Sequence, residues 1–279
     1  MIRVGVHVSI AGSLDKAVNR ALERGCDCFQ IFTKNPRGWL AKDIPTHDAM
    51  RFRKMVSESP VSPVYAHMPY LPNLASAKKE VYQKSIDALV LELNRCSFLE
   101  IPYLVTHLGH ASDSIASGRM RVIAAILDAL DRGTGETRLL LENTAGERNS
   151  VGSTFEDIRQ VMEGIGKPGR IGVCLDTCHA FAAGYDIRSD KAVSNLVDCI
   201  DEEFGVSSLF LIHLNDAKGE LGSGLDRHEH LGCGSIGEEG IRAVLCHPDL
   251  LSIPFICETP VDEKRDDIGN IRIARLLAG

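Results

Sequence analysis

Eight short apolar runs, each followed by a helical pattern, restrict what this chain can fold into more than any other feature. The runs cover residues 2–8, 28–33, 61–67, 101–107, 138–143, 170–176, 208–214 and 253–258. They are rich in β-branched residues and almost unbroken in hydrophobicity. Strands covered on both faces read this way, because a buried parallel sheet leaves neither face in water. The helices between them are also clear. Residues 13–24 place Leu14, Ala17, Val18, Ala21 and Leu22 on one face, with Ser13 as N-cap and Gly25 beyond the end. Residues 154–165 follow a capping box, Ser153 to Glu156. Residues 46–58, 78–96, 114–131, 190–204, 238–246 and 266–278 read as helices too. Strict alternation of eight strands with about eight helices in 279 residues predicts a (β/α)₈ TIM barrel, one domain spanning 1–279. A doubly wound open sheet is the alternative, but no Gly-x-Gly-x-x-Gly follows the first run.

The ends of the runs carry chemistry. Strands three to eight finish at or beside His67, His107, Glu142, Asp176, His213 and Glu258. Their spacings are 40, 35, 34, 37 and 45 residues, about one strand–helix unit each. In a barrel all six fall at the C-terminal rim, where barrel active sites are built. Singly, each has a bland reading as a capped strand end or a bonded core histidine. Six ligand-type residues from six consecutive strands point to a site. His179 lies three residues after Asp176, and Asp226 and His228 lie in the stretch LIHLNDAKGELGSGLDRHEHLGCG, residues 211–234. That stretch is longer than an ordinary strand–helix connection and rich in Gly, which marks a functional loop rather than a tether.

Five His and four carboxylates suit zinc, and manganese or iron less strongly. Nine ligands exceed what one ion takes and fit two or three ions with a bridging carboxylate. Of the nine Cys, Cys26/Cys28 and Cys174/Cys178 lack metal-ribbon spacing, so the thiols read as reduced, small and buried. That usage suits a cytoplasmic protein. The chain opens directly on a strand-like alternation, MIRVGVHVS, which predicts no secretory leader. No apolar run approaches the ~18 residues of a membrane span. The net charge of −7 weighs against nucleic acid as a partner. Three divalent ions would bring it to about −1 and concentrate positive charge at the mouth.

Several blocks then become recognisable. GVCLDTCH (172–179), HLNDAKGELGSGLDRH (213–228), YAHMPYLPN (65–73), LENTAG (141–146) and CETP (257–260) resemble the motifs of the endonuclease IV family of apurinic/apyrimidinic endonucleases. The resemblance runs from the first strand to the last. It implies a zinc-dependent DNA repair enzyme that cuts duplex DNA 5′ to abasic sites in base excision repair, acting as a monomer without an obligate protein partner. It implies three zinc ions: one held by His67, His107 and Glu142; one by Glu142 as a bridge with Asp176, His213 and Glu258; one by His179, Asp226 and His228. It implies Glu142 and Glu258 as the catalytic carboxylates, with Glu258 orienting the attacking hydroxide. Arg37, Tyr70 and Leu71 match the side chains that enter DNA where the abasic nucleotide is flipped out. Lys34, Lys218 and Arg227 are candidate phosphate contacts, set against the ordinary reading of a lone Lys or Arg as a solvated cation. His7, His110 and His230 lie near ligands and could support them. One departure is Leu108, where many members have Pro.

Two other readings compete. A sugar isomerase or epimerase of the xylose-isomerase-like barrels also carries metal at this rim, but gives no reason for the Asp226–His228 pair or for Arg37, Tyr70 and Leu71. A protein that recognises lesions without cutting needs no complete metal set.

Overall fold

The computed structural model of the chain describes residues 2–279. Each predicted run contains a strand: β1 (Val4–His7), β2 (Phe29–Ile31), β3 (Val64–His67), β4 (Tyr103–His107), β5 (Arg138–Glu142), β6 (Ile171–Asp176) and β7 (Leu209–His213). A two-residue ribbon, β8 (Asp216–Ala217) and β9 (His228–Glu229), precedes the last barrel strand, β10 (Phe255–Cys257). β1 to β7 pair in sequence order, all parallel, and β10 closes the barrel between β7 and β1.

The outer ring is α1 (Asp15–Glu23), α2 (Thr46–Ser57), α3 (Lys79–Leu99), α4 (Ile115–Arg132) and α5 (Phe155–Ile165). After the short α6 (Thr177–Ala183) it continues with α7 (Asp190–Glu203), α8 (Gly237–Cys246) and α9 (Asp267–Ala278). Their buried stripes, such as Ala17, Val18 and Ala21 in α1, pack on the outside of the barrel. Two caps sit one residue later than the sequence suggests. Leu14 is already helical and is the N-cap of α1, without a side-chain bond. The cap of α5 is Thr154, not Ser153: its Oγ1 accepts from Asp157 N at 3.1 Å. The turn at Gly152 (φ +88) brings Thr154, in extended conformation, to the helix entrance.

Inside the barrel the side chains form layers. Cys28, Tyr65, Val105, Leu140, Cys174, Leu211 and Ile256 make a sealed apolar cluster separate from the outer core. Strand side chains alternate with period two, so the next inward position on each strand is two residues on. Those positions are Gln30, His67, His107, Glu142, Asp176, His213 and Glu258. On β1 the matching pair is Gly5 and His7. A Cβ on Gly5 would lie 1.7 Å from the Cys28 carbonyl oxygen, so only Gly lets β1 and β2 close the barrel.

Candidate metal centre

The polar layer opens onto a cavity of about 420 Å³ lined by His7, His67, Tyr70, His107, His228 and Glu258, among others. Glu142 of that layer is fully buried and shared by three histidines. Its Oε2 lies 3.1 Å from His67 Nε2 and 2.8 Å from His107 Nε2. Its Oε1 lies 2.8 Å from His213 Nδ1, which is also 3.3 Å from Glu258 Oε2 and 3.8 Å from Asp176 Oδ2. His179 Nε2 and His228 Nε2 lie 3.2 and 3.5 Å from the same oxygen, Oδ1 of Asp226. The nine sequence-derived residues therefore come together in three groups of mutually close ligand atoms: His67–His107–Glu142, Glu142–Asp176–His213–Glu258 and His179–Asp226–His228. Leu108, the departure from the family pattern, packs into the core and leaves His107 in place.

The loop residues reach the rim for local reasons. Asp176 caps α6, its Oδ1 accepting from His179 N at 2.8 Å, which turns His179 back toward the site. Its Oδ2 accepts from Asn215 Nδ2 at 2.7 Å. The β8–β9 ribbon pairs Ala217 with His228 and so brings His228 back to the barrel mouth. Its tip is pinned on α6, where Gly222 N and Gly224 N donate to the carbonyls of Phe181 and Ala182. The base is clamped by Asp216, whose carboxylate accepts from the backbone N–H of Ala217, Gly234 and Ile236 at 2.8–3.0 Å. A Cβ at Gly234 would lie 2.3 Å from the Ala217 carbonyl oxygen, so the clamp needs Gly there.

Hydrogen bonds decide which ring nitrogens face inward. The Nδ1 atoms of His67, His179 and His228 lie 2.7, 2.9 and 3.1 Å from the carbonyl oxygens of Met68, Asn143 and Glu258. A carbonyl only accepts, so each Nδ1 carries a proton and each neutral ring turns an Nε2 lone pair to the cluster. His228 Nε2 is buried with no hydrogen-bond partner. Lone pairs facing carboxylates at these distances require a proton or a cation between them. The donor set therefore fits metal ions.

The electrostatics agree. Burial works to raise the Glu142 pKa, but the His107 and His213 imidazoles outweigh it and hold the group well below the usual carboxylate range. Glu258 is displaced the same way, mainly by His213 against its burial. Burial works to lower the His179 pKa, yet Asp176, Asp226 and Glu142 overcome it and push it up to about 10. His7 is lowered, because burial dominates there.

The residues expected to meet DNA sit at the lip. Tyr70 is 69% and Leu71 40% exposed, and Arg37 is exposed. Tyr70 stands between the main cavity and a second of about 410 Å³ running from Met68 to His110. Its ring packs edge-on against Phe32 at 5.2 Å, and Phe32 packs against His7 and His67. The Arg37 loop rests on buried side chains from α3. Arg95 donates to the Thr33 hydroxyl and carbonyl and to the Lys42 carbonyl, and Thr33 donates to Glu92 at 2.6 Å.

Lys218 and Arg227 are exposed, but Lys34 is not available as a surface contact. It is buried and donates to the Gly38 carbonyl, shaping the Arg37 turn. His110 meets the Tyr70 loop through its backbone, which exchanges bonds with the Asn73 side chain. His230 does not reach the ligands. It bonds Asp262 at 2.9 Å and Asn270 at 3.1 Å, tying the loop after β9 to α9. Gln30, Asn143 and Asn215 also serve the site, and the sequence reading does not reach them. Gln30 is a polar residue inside an apolar run, and strand parity from Cys28 points it inward.

Residues 18–275 match the family described as a xylose isomerase-like TIM barrel. A protein of Methanoculleus marisnigri named probable endonuclease 4 is 56% identical, with both chains fully covered. The crystal structure of endonuclease IV from Thermus thermophilus superposes with a TM-score of 0.89 at 36% identity, covering 99% of this chain and 98% of that one. This chain belongs to the endonuclease IV family. A D-tagatose 3-epimerase-like protein matches at a TM-score of 0.71 and 17% identity, over 99% of this chain and 96% of that one; the likeness extends to the fold alone. Endonuclease IV membership and the rim geometry bear on the same residues, because the motif blocks of the sequence supply eight of the nine grouped side chains, all but His107.

Proposed function

We propose that this chain is a zinc-dependent endonuclease that hydrolyses duplex DNA 5′ to abasic sites, leaving a 3′-hydroxyl and a 5′-deoxyribose-phosphate. The observation that carries the reading is Glu142, whose two oxygens serve two different histidine groups at the mouth of one cavity. That arrangement suits a bridging carboxylate between two ions. His67, His107 and Glu142 would hold one zinc; Glu142, Asp176, His213 and Glu258 a second; His179, Asp226 and His228 a third. Bound zinc supplies Lewis-acid charge to a phosphate and lowers the pKa of water toward neutrality.

The chain's own residues do the rest. Glu258 lines the cavity and is held as a carboxylate, placed to orient the attacking water and take its proton. Tyr70 and Leu71 enter the base stack beside the lesion, where unstacking costs least, and Arg37 meets the backbone. No Lys ends a strand at this rim, which favours hydrolysis over an amine-dependent lyase route. The whole barrel, residues 1–279, acts as one domain and as a monomer in the cytoplasm. Among the described residues no helix is long and apolar enough to cross a membrane.

The test is a duplex with one tetrahydrofuran site, which lacks the aldehyde a lyase needs. The zinc-loaded protein should cut it and leave an end that a polymerase extends, and Glu258→Gln should suppress cutting with the circular dichroism spectrum unchanged. Cutting natural abasic DNA but not the analogue overturns the hydrolytic reading. Elemental analysis finding one ion per fully active chain overturns the three-ion assignment.

A further inference from the structure

We propose that Gln30 is a positioning residue for the group Glu142, Asp176, His213 and Glu258, fixing the ring of His213 and the carboxylate of Glu258 with one amide. The inference rests on the metal-dependent reading above. Gln30 is fully buried on β2, whose barrel neighbours are β1 and β3. Its side chain nonetheless crosses the barrel mouth to residues of β7 and of the segment after β10. His213 Nε2 donates to Gln30 Oε1 at 2.9 Å. Gln30 Nε2 donates to Glu258 Oε1 at 2.7 Å and to His7 Nδ1 at 3.1 Å. The opposite amide orientation would set two acceptors in contact at Glu258, so this one is decided. The proton it places on His213 Nε2 leaves the Nδ1 lone pair turned toward Glu142 and Glu258.

Packing alone does not explain an amide here. The layer below fills the same strand with Cys28, and a buried amide is costly unless its bonds are made. All three of its bonds go to two ligand-type residues and to His7. The eight inward rim positions thus divide: β1 and β2 supply His7 and Gln30 as supports, and the other six strands supply the ligands. Partners that orient metal-binding side chains in this way tune affinity and activity.

Two substitutions test the proposal. Gln30→Met keeps the length and removes every bond; Gln30→Glu keeps an acceptor for His213 and removes the N–H groups toward Glu258. The readouts are metal retained per chain against time in chelator, the visible spectrum of the cobalt-substituted protein, and kcat and KM on tetrahydrofuran duplex. In Gln30→Met one ion of three should leave about tenfold faster or more. The cobalt bands should shift and kcat should fall in the same range, with KM unchanged because Arg37, Tyr70 and Leu71 are untouched. In Gln30→Glu kcat should fall as far, with a smaller change in retention. Parental retention and kcat in Gln30→Met overturn the proposal. So does equal loss of all three ions, the signature of a loosened barrel. If Gln30→Met does not fold, parental values in Gln30→Glu overturn it instead. Failure of the functional reading shows separately, as a parent protein that does not cut the duplex.

Discussion

The lower layer of the barrel interior is Cys28, Tyr65, Val105, Leu140, Cys174, Leu211 and Ile256. The layer two residues further along the same strands is Gln30, His67, His107, Glu142, Asp176, His213 and Glu258. The backbone treats them alike: same strands, same inward direction, one pleat apart. In the lower layer packing satisfies every side chain, and the Tyr65 hydroxyl finds a carbonyl at Phe210. In the upper layer imidazole lone pairs face carboxylates, and the groups are held together only if protons or cations stand between them. The barrel thus separates stability from chemistry by about one pleat of strand.

The largest effect should come from the residue at the middle of the upper layer. Glu142→Ala removes the carboxylate that three histidines share. Metal content should fall by more than one ion per chain, where His228→Ala loses mainly one. Cleavage should drop on the order of a thousandfold, the upper end for loss of one preorganised electrostatic group. An Ala variant with its full metal complement would erase the contrast between the layers.

A pH series sharpens the same contrast. In chelated protein a proton on His179 stands where the proposed third ion would sit. Its folded pKa is raised to about 10 from an ordinary 6.5. That contribution to stability is fully present below pH 6.5 and is lost as the pH rises through 10. Metal binding has the opposite sign, because it needs the neutral ring. The chelated protein should therefore lose on the order of 5 °C in Tm between pH 6.5 and 10, His179→Gln should flatten that fall, and the zinc-loaded protein should not show it. A chelated Tm that climbs across this window breaks the argument.

The two layers are unequally legible in the sequence. Six of the upper residues stand at the ends of the mostly apolar runs, and that position announces them. Gln30 does not, because its run continues through Ile31 and Phe32 to Thr33, and only parity counted from Cys28 exposes it. Helix α6 escapes because its seven residues carry no apolar period, and its cap, Asp176, already reads as a ligand. The β8–β9 ribbon is two residues a side, too short for alternation to register. Lys34 reads as a surface cation until the turn at Gly38 is known. His230 reads as a neighbour of His228, yet it faces α9, where Asn270 receives it.

At the lip above the upper layer the effect should be smaller. Tyr70→Ala with Leu71→Ala removes exposed side chains that touch no ligand group directly, though Tyr70 leans on Phe32. Affinity for abasic duplex should weaken about tenfold or somewhat more, at ~1–3 kcal/mol for a stacked aromatic, with metal content unchanged. Parental binding by the double variant would reduce these residues to loop packing.

The smallest effect belongs to the lower layer, and it tests the separation most directly. Tyr65 is fully buried, stacks on Tyr103 at 5.2 Å and donates to the Phe210 carbonyl at 2.9 Å. It lies two residues before His67 on the same strand. Tyr65→Phe keeps the ring and the stacking and deletes one hydrogen bond, leaving the half-buried Phe210 carbonyl short of that donor. The cost should be about 1 kcal/mol, or roughly 2–4 °C in Tm for a chain of this size. Metal retention and kcat should match the parent, because the backbone of β3 is fixed by its pairing with β2 and β4 and not by the hydroxyl. If Tyr65→Phe instead loses metal or turnover in proportion to its Tm, the two layers are one mechanical unit, and His67 is positioned from below as well as by Met68.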